Sequence, residues 1–375
     1  MKLRLWRRSH LLLASPRRTD TEFPGRSDDQ RYRCRMPKFG NQTCLTRLEN
    51  TVAKAIRFYE TGGPEVLRWE DIDVGEPGPG EVRLRHAAVG LNFADTYFRT
   101  GLYPAPLPAG MGVEGAGVID AVGAGVEGFR EGTRVTYTGS PLGAYSTERV
   151  LPAADLIALP DTIPLETASA MTMRGLTAAY LLRRISSIES GDTVLLHAAA
   201  GGVGLIFSQW AKLLGIKVIG VVSTEAKADA ALKNGCEHVI VRGQESIPAR
   251  VRELTDGVGV PVVFDSVGRA TFEDSLDSLA RRGLMVCFGT ASGPTPPIVA
   301  QQLAVKGSLF VTRPALADYI ADPSERAELA GELFGHVAAG RITIEINQRY
   351  ALEDAAQAHR DLETGHSIGS SVFSV

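Results

Sequence analysis

Apolar positions along the 375-residue chain fall into two textures. From Val52 onward, short segments alternate with turn clusters. Lys54–Phe58 reads as a first strand, and Glu81-Val82-Arg83-Leu84-Arg85-His86-Ala87 alternates polar with apolar, the period of a half-buried strand. Between them Gly75-Glu76-Pro77-Gly78-Pro79-Gly80 is a turn cluster. The stretch 112–135 is dense in Gly, Val and Ala, with turn points at Gly123, Gly125, Gly128 and Gly132, and predicts a small β-barrel.

After Pro164 the pattern changes. It predicts helix over 165–185, strand over 193–197, helix over 204–214, strand over 217–222 and helix over 226–234. Strand over 238–241, helix over 249–254, strand over 261–264, helix over 272–279 and strand over 283–288 follow. Alternation of this kind specifies an α/β fold with a doubly wound parallel sheet. Beyond Arg313 come helix 324–339, strand 342–346, helix 352–363 and a final strand, too much for a linker. The expected division is an extension at 1–51, a barrel domain of 52–171 completed by 313–375, and a parallel-sheet domain of 172–312 inserted between its parts.

Composition narrows the function. A formal net charge of -3 provides no global field for nucleic acid or an anionic membrane. Cys34, Cys44, Cys236 and Cys287 are scattered, with no pair at metal-ligand spacing, which suits reduced thiols in a cytoplasmic protein. No apolar run approaches the ~18 residues of a membrane span. The first fifty residues are rich in arginine and lack periodicity; the run Leu11–Ala14 is short for a signal peptide, and acidic residues weigh against a transit peptide. A disordered extension, or an over-long start with initiation at Met36 or later, is the expectation there.

The predicted strand 193–197 runs into Ala198-Ala199-Ala200-Gly201-Gly202-Val203-Gly204 and a helix. Gly201 and Gly204 fill the second and third places of the dinucleotide-binding fingerprint, and Ala199 stands at the first. The second glycine admits a pyrophosphate, the third lets helix pack on strand, and the free N–H groups of the first helical turn meet the phosphates. The next strand ends in Val221-Val222-Ser223-Thr224 with no carboxylate for a ribose diol, while Lys227 and Arg242 supply cations. Small hydroxyls plus cations suit a 2′-phosphate, so NADPH is the expected cofactor. Val262–Gly268, with Asp265 and Ser266, and Phe288-Gly289 with Ala291-Ser292-Gly293 end later strands at the edge where ligands sit. Asp265 reads equally as a helix cap or a cofactor contact.

These residues carry a resemblance. Gly62–Leu67, Leu91-Asn92-Phe93-Ala94-Asp95, Arg99–Pro104, His197–Gly204, Asp265–Gly268, Arg281–Gly283 and Val311-Thr312-Arg313-Pro314 resemble the zinc-independent quinone oxidoreductases of the medium-chain dehydrogenase/reductase superfamily, from about Val52 to Val375. The resemblance implies a GroES-like barrel with a Rossmann domain, NADPH as cofactor, a quinone as acceptor and a homodimer. Zinc enzymes of this superfamily carry Gly-His-Glu and an upstream Cys; here those places hold Gly112-Val113-Glu114 and Asn92, and Val113 offers zinc no donor. The resemblance further implies that Asn92 and Tyr97 line the nicotinamide cleft and that Tyr103 stands near the acceptor ring. It places Tyr180, Phe288, Val311 and Arg313 along the cofactor, with packing as the alternative role for the tyrosines and an interdomain ion pair for Arg313. The rival functions are an NADPH-dependent enone or alkenal reductase and a non-catalytic NADPH-binding protein; no basic-aromatic stripe within 52–375 supports nucleic-acid binding.

Overall fold

The computed structural model describes residues 52–139 and 141–375, so the extension expected at 1–51 lies outside them. Strand β1 (Lys54–Phe58) pairs with β2 (Arg68–Asp71) and with β4 (Ala109–Gly110) in a small antiparallel sheet. A second sheet is built on the long β3 (Glu81–Leu91), which pairs antiparallel with β5 (Glu114–Val122) and β7 (Glu148–Pro152). Strands β6 (Arg134–Thr138) and β8 (Ile157–Ala158) extend it on one side. A bridge between Ala55 and Ser146 joins the two sheets. Between them Ile56, Phe58, Leu84, Ile119, Tyr145 and Phe373 form one buried core, the expected barrel. Helix α1 (Phe93–Arg99) follows β3 directly.

Helix α2 (Leu165–Arg183) is buried along most of its length because it packs against β3, β5 and β6 and also against α3 (Gly202–Leu213). The parallel sheet then unfolds as β9 (Thr193–His197), β10 (Lys217–Val222), β11 (His238–Val241), β12 (Val260–Asp265), β13 (Leu279–Cys287) and β14 (Phe310–Thr312), in the order β11-β10-β9-β12-β13-β14. Helices α4 (Glu225–Lys233), α5 (Ile247–Leu254), α6 (Phe272–Ser278) and α7 (Ala300–Val305) connect them. The order reverses at β9, so the crevice between the carboxyl ends of β9 and its neighbours is the switch point where such sheets bind ligands.

The tail comprises α8 (Leu316–Ile320), α9 (Pro323–Ala338), β15 (Ile346–Ala351), α10 (Ala355–Glu363) and β16 (Ser370–Ser374). Strand β16 pairs antiparallel with β3, which returns the tail to the barrel. Expected elements differ in places: the strand expected at 283–288 begins already at Leu279 and ends at Cys287, and one in the tail is displaced. The alternation Ile342-Thr343-Ile344-Glu345-Ile346 predicts a strand there, yet pairing starts only at Ile346 and runs to Ala351. Residues 342–345 are held instead from the side: Gln209 bonds both the N–H and the carbonyl of Thr343, at 2.8 and 3.0 Å, and Ile342 is buried in the core of the parallel-sheet lobe.

Candidate active site

The glycine loop is shaped by backbone crowding. Ala198 turns the chain out of β9 with a positive φ of 53°. A Cβ on Gly204 would lie 2.5 Å from the carbonyl oxygens of Ala198 and Ala199, so only glycine lets α3 approach β9 this closely. The tail closes the far side: Gly369 donates its N–H to the Ala200 carbonyl at 2.9 Å. The N–H groups of Gly202, Val203 and Gly204 begin α3 and have no intrahelical partners.

A cavity of about 370 Å³ opens beside this loop. Ser223, Lys227 and Arg242 line one side, Glu363, Thr364, Gly365 and Ser367 the other, and Ser292 lies on its wall. Lys227 Nζ donates to the Gly365 carbonyl at 2.5 Å across it. Burial, then the neighbouring Arg242, pulls the Lys227 ammonium below its usual pKa. Two cations converge here with no carboxylate bound to either among the described residues, the donor set an anionic ester needs. Thr224 caps α4 through its backbone position and lies outside this lining.

A second cavity, of about 240 Å³, continues past the loop. Asn92, Phe93, Tyr97, Met173, Arg174, Thr177, Ser266 and Phe288 line it together with Gly201–Gly204. His197, Ala198 and Gly201 belong to both cavities, which makes one cleft from the cationic corner to Asn92. Tyr97 accepts from the Thr290 N–H at 2.9 Å, so a barrel residue touches the parallel-sheet lobe. Tyr103 stands edge-on to Tyr97 at 5.1 Å and accepts from Arg313 Nη2 at 2.7 Å. That bond leaves the Tyr103 hydroxyl its own proton to give. Tyr103 and Arg313 lie beyond the lining of both cavities, beside Tyr97. Tyr180 is 2% exposed and stacks on Tyr319 at 4.4 Å, which is a packing role in this structure. Val311 in β14 pairs with Met285 of β13 and packs under that sheet.

Behind the cleft, Asn92 is anchored rather than free. Its backbone N–H donates to Asp95 at 2.8 Å, and its side-chain Nδ2 donates to Glu114 Oε2 at 2.7 Å. Glu114 is fully buried, receives the Met173 N–H on Oε1 at 2.7 Å, and pairs with Arg174 at 3.4 Å. Burial raises its carboxyl pKa, against the pull of Arg174. Arg174 also donates to the Leu91 and Ala170 carbonyls. Asp265, read above as cap or cofactor contact, is spent internally: it receives Val267 and Gly268 N–H groups and the hydroxyls of Thr271 and Ser275. Sequence reasoning missed Arg174 and the loop 362–369. An arginine inside the apolar run of α2 was a signal for the first; nothing local marks the second, which arrives by tertiary closure.

Among the described residues, no group of three or more His, Cys, Asp or Glu is placed to hold a metal ion. Val113 stands in the barrel core, and the Asn92 amide is committed to Glu114. The cleft does fit a dinucleotide: it has a backbone cradle that a Cβ would fill, cations at one end and a polar amide at the other.

A barrel completed by a C-terminal tail, with a doubly wound sheet inserted and a dinucleotide cleft between, defines a medium-chain dehydrogenase/reductase. Family models described as "Alcohol dehydrogenase GroES-like domain" and "Zinc-binding dehydrogenase" match residues 78–161 and 202–323. A quinone oxidoreductase of Pseudomonas aeruginosa is 52% identical over 323 residues, 86% of this chain and 99% of that protein. The crystal structure of the Escherichia coli quinone oxidoreductase complexed with NADPH superposes with a TM-score of 0.85 at 46% identity, over 86% of this chain and 100% of that one. A 2-haloacrylate reductase of a Burkholderia species is 45% identical over 84% of this chain and 97% of that protein. The chain belongs to the zinc-independent quinone oxidoreductases of this superfamily.

Proposed function

We propose that the protein is an NADPH:quinone oxidoreductase working without a metal. One observation carries the reading: a single cleft joins the glycine loop and the Ser223–Lys227–Arg242 corner to Asn92 and Tyr97, in a chain half identical to quinone oxidoreductases. Bound NADPH supplies a hydride, which a quinone accepts together with one proton to become the hydroquinone. Lys227, Arg242 and Ser223 hold the 2′-phosphate end, and Gly202–Gly204 hold the pyrophosphate. Asn92 presents its carbonyl oxygen to the nicotinamide side. Tyr97 and Phe288 wall the ring, and Tyr103, polarised by Arg313, donates to the oxygen that gains charge on the acceptor. Ser266 and Ser292 border the cofactor along the strand ends. Tyr180 supports the wall from behind.

No zinc is needed because a quinone is already electrophilic; alignment of the two rings does most of the work. A conjugated double bond is the second acceptor class. The relative named a 2-haloacrylate reductase favours it, and Arg313, which has no carboxylate partner among the described residues, suits a member of that class that carries a carboxylate. Following NADPH oxidation with matched panels of quinones and enones tests the reading: quinones turning over faster supports it, and enones alone turning over replaces it with the second.

The protein works as a homodimer in the cytoplasm, without nucleic acid or membrane. The exposed edge of β14 with Phe310 and nearby Val305 supports the dimer. The buried free thiols Cys236 and Cys287 suit a reducing compartment, and no described helix is long and apolar enough to cross a membrane.

A further inference from the structure

Asn92 carries an amide, and an amide has two faces: a donor and an acceptor. Only one serves a nicotinamide carboxamide that offers its NH₂ group. What selects the face lies behind it. Asn92 Nδ2 points away from the cleft onto Glu114 Oε2 at 2.7 Å; Oδ1 faces the Asp95 N–H in the capping box that opens α1 and keeps a second lone pair for the cleft that Asn92 lines. Glu114 itself never reaches that cleft: it is 0% exposed and absent from the lining. Its other oxygen is held by the Met173 N–H at 2.7 Å, and Arg174 Nη1 shares Oε2 at 3.4 Å. Space for the carboxylate exists because residue 90 is glycine; a Cβ there would lie 2.3 Å from Glu114 Oε2. Arg174 in turn packs under the phosphate loop, where a Cβ on Gly202 would lie 2.4 Å from its Cδ.

We propose that Glu114 is a positioning residue that locks the Asn92 amide with its oxygen toward the nicotinamide carboxamide. The inference rests on the reading of Asn92 as the nicotinamide contact. A carboxylate has acceptors only, so it can meet Asn92 solely through Nδ2. A glutamine in its place keeps one oxygen on the Met173 N–H and turns its NH₂ group onto Asn92 and Arg174, both donors. The relief is an amide flip: Asn92 turns its oxygen to the glutamine and its NH₂ to the cleft.

Binding alone reads this out. NADP⁺ is compared with its 3-acetylpyridine analogue, which keeps a ring carbonyl but has no NH₂. Wild-type protein should bind NADP⁺ more tightly than the analogue by about three- to tenfold, the effect of one hydrogen bond. Glu114→Gln should bind both alike, because a flipped Asn92 asks for a carbonyl that both possess. The double variant Asn92→Asp/Glu114→Gln should discriminate again: its aspartate has acceptors on both sides and keeps one negative charge beside Arg174. A purely structural Glu114 would weaken both ligands together and would not be rescued. Should Glu114→Gln fail to fold, Glu114→Asp replaces it: the shorter carboxylate keeps the charge beside Arg174 but cannot reach Asn92 Nδ2, now 2.7 Å from Oε2, so discrimination should fall toward equality, and discrimination at the wild-type level overturns the lock. Undiminished discrimination by folded Glu114→Gln also overturns it. Asn92→Ala separates the two layers. If that variant still discriminates, the nicotinamide role of Asn92 is wrong; if it does not while Glu114→Gln does, only the lock is wrong.

Discussion

Lys227 is the side chain on which the proposed cofactor preference turns. Its ammonium rests on the Gly365 carbonyl at 2.5 Å in the corner it shares with Ser223 and Arg242. A 2′-phosphate replaces a neutral acceptor by an anionic one, and charge-assisted bonds are about twice as strong. Lys227→Ala should therefore raise the KM for NADPH about tenfold or more and leave NADH use nearly unchanged. Equal losses with both cofactors would place Lys227 outside the phosphate site. A second residue-scale test concerns buried histidines. His86 donates from Nδ1 to the Ser146 carbonyl at 2.7 Å and meets Tyr137 through Nε2 at 2.9 Å, beside Arg149. Burial, with Arg149, pushes it down to about 3, and burial with Arg99 does the same to His359. Both are neutral when folded and take up a proton on unfolding below their ordinary value of 6.5. Their stabilisation is thus full above that value and is lost as pH falls toward 3. Asp95 opposes them: burial lifts it to about 7, so its contribution is full below 3.8 and fades as pH rises through 7. His86→Gln should make the fall of stability between those limits shallower by about 1.4 kcal/mol per pH unit. Denaturant unfolding at stepped pH measures this, and an unchanged slope would contradict it.

Among the elements, β9, β10 and β11 were legible to the residue from sequence. Buried parallel strands are continuous apolar runs, and here turns and glycines bound them closely. Strand β15 was not. Its residues, Ile346-Asn347-Gln348-Arg349-Tyr350-Ala351, look polar because the strand lies at a half-exposed sheet edge, whereas the alternation at 342–346 serves a crossing segment. The cleft was half legible for a related reason. Gly201–Gly204, Ser223, Lys227 and Arg242 follow from the local strand–loop–helix rule. Arg174 and residues 362–369 reach the cleft only when α2 and the tail close on it. The glycine loop offers an element-scale test. A Cβ at Gly204 meets two carbonyls at 2.5 Å, but one at Gly201 meets the Ala198 oxygen at 3.2 Å. Gly204→Ala should therefore cost about 1–3 kcal/mol of stability and weaken NADPH binding, with Gly201→Ala markedly milder in stability. Paired melting curves check the order, and the reverse order would refute the packing argument.

At the scale of the whole molecule, the parallel sheet ends on β14, whose outer edge has no partner strand among the described residues. Phe310 on that strand is 61% exposed, and Val305 on α7 is 77% exposed. An apolar open edge of this kind invites a two-fold partner. Sedimentation should show a dimer for the wild type and a shift to monomer for Phe310→Glu; a wild-type monomer at micromolar concentration would refute it.

The barrel and the sheet meet where Tyr97 takes the Thr290 N–H, so the proposed hydride transfer needs the two lobes together, and among the described residues no group of three or more His, Cys, Asp or Glu is placed to hold a metal ion. The most direct measurement is single-turnover oxidation of bound NADPH by a para-quinone, in protein dialysed against a strong chelator and assayed for zinc. Rapid, stoichiometric oxidation is expected with zinc far below one per chain, and a much slower reaction at the same concentration of NADH. Loss of the reaction on metal removal, with recovery on adding zinc back, would contradict it.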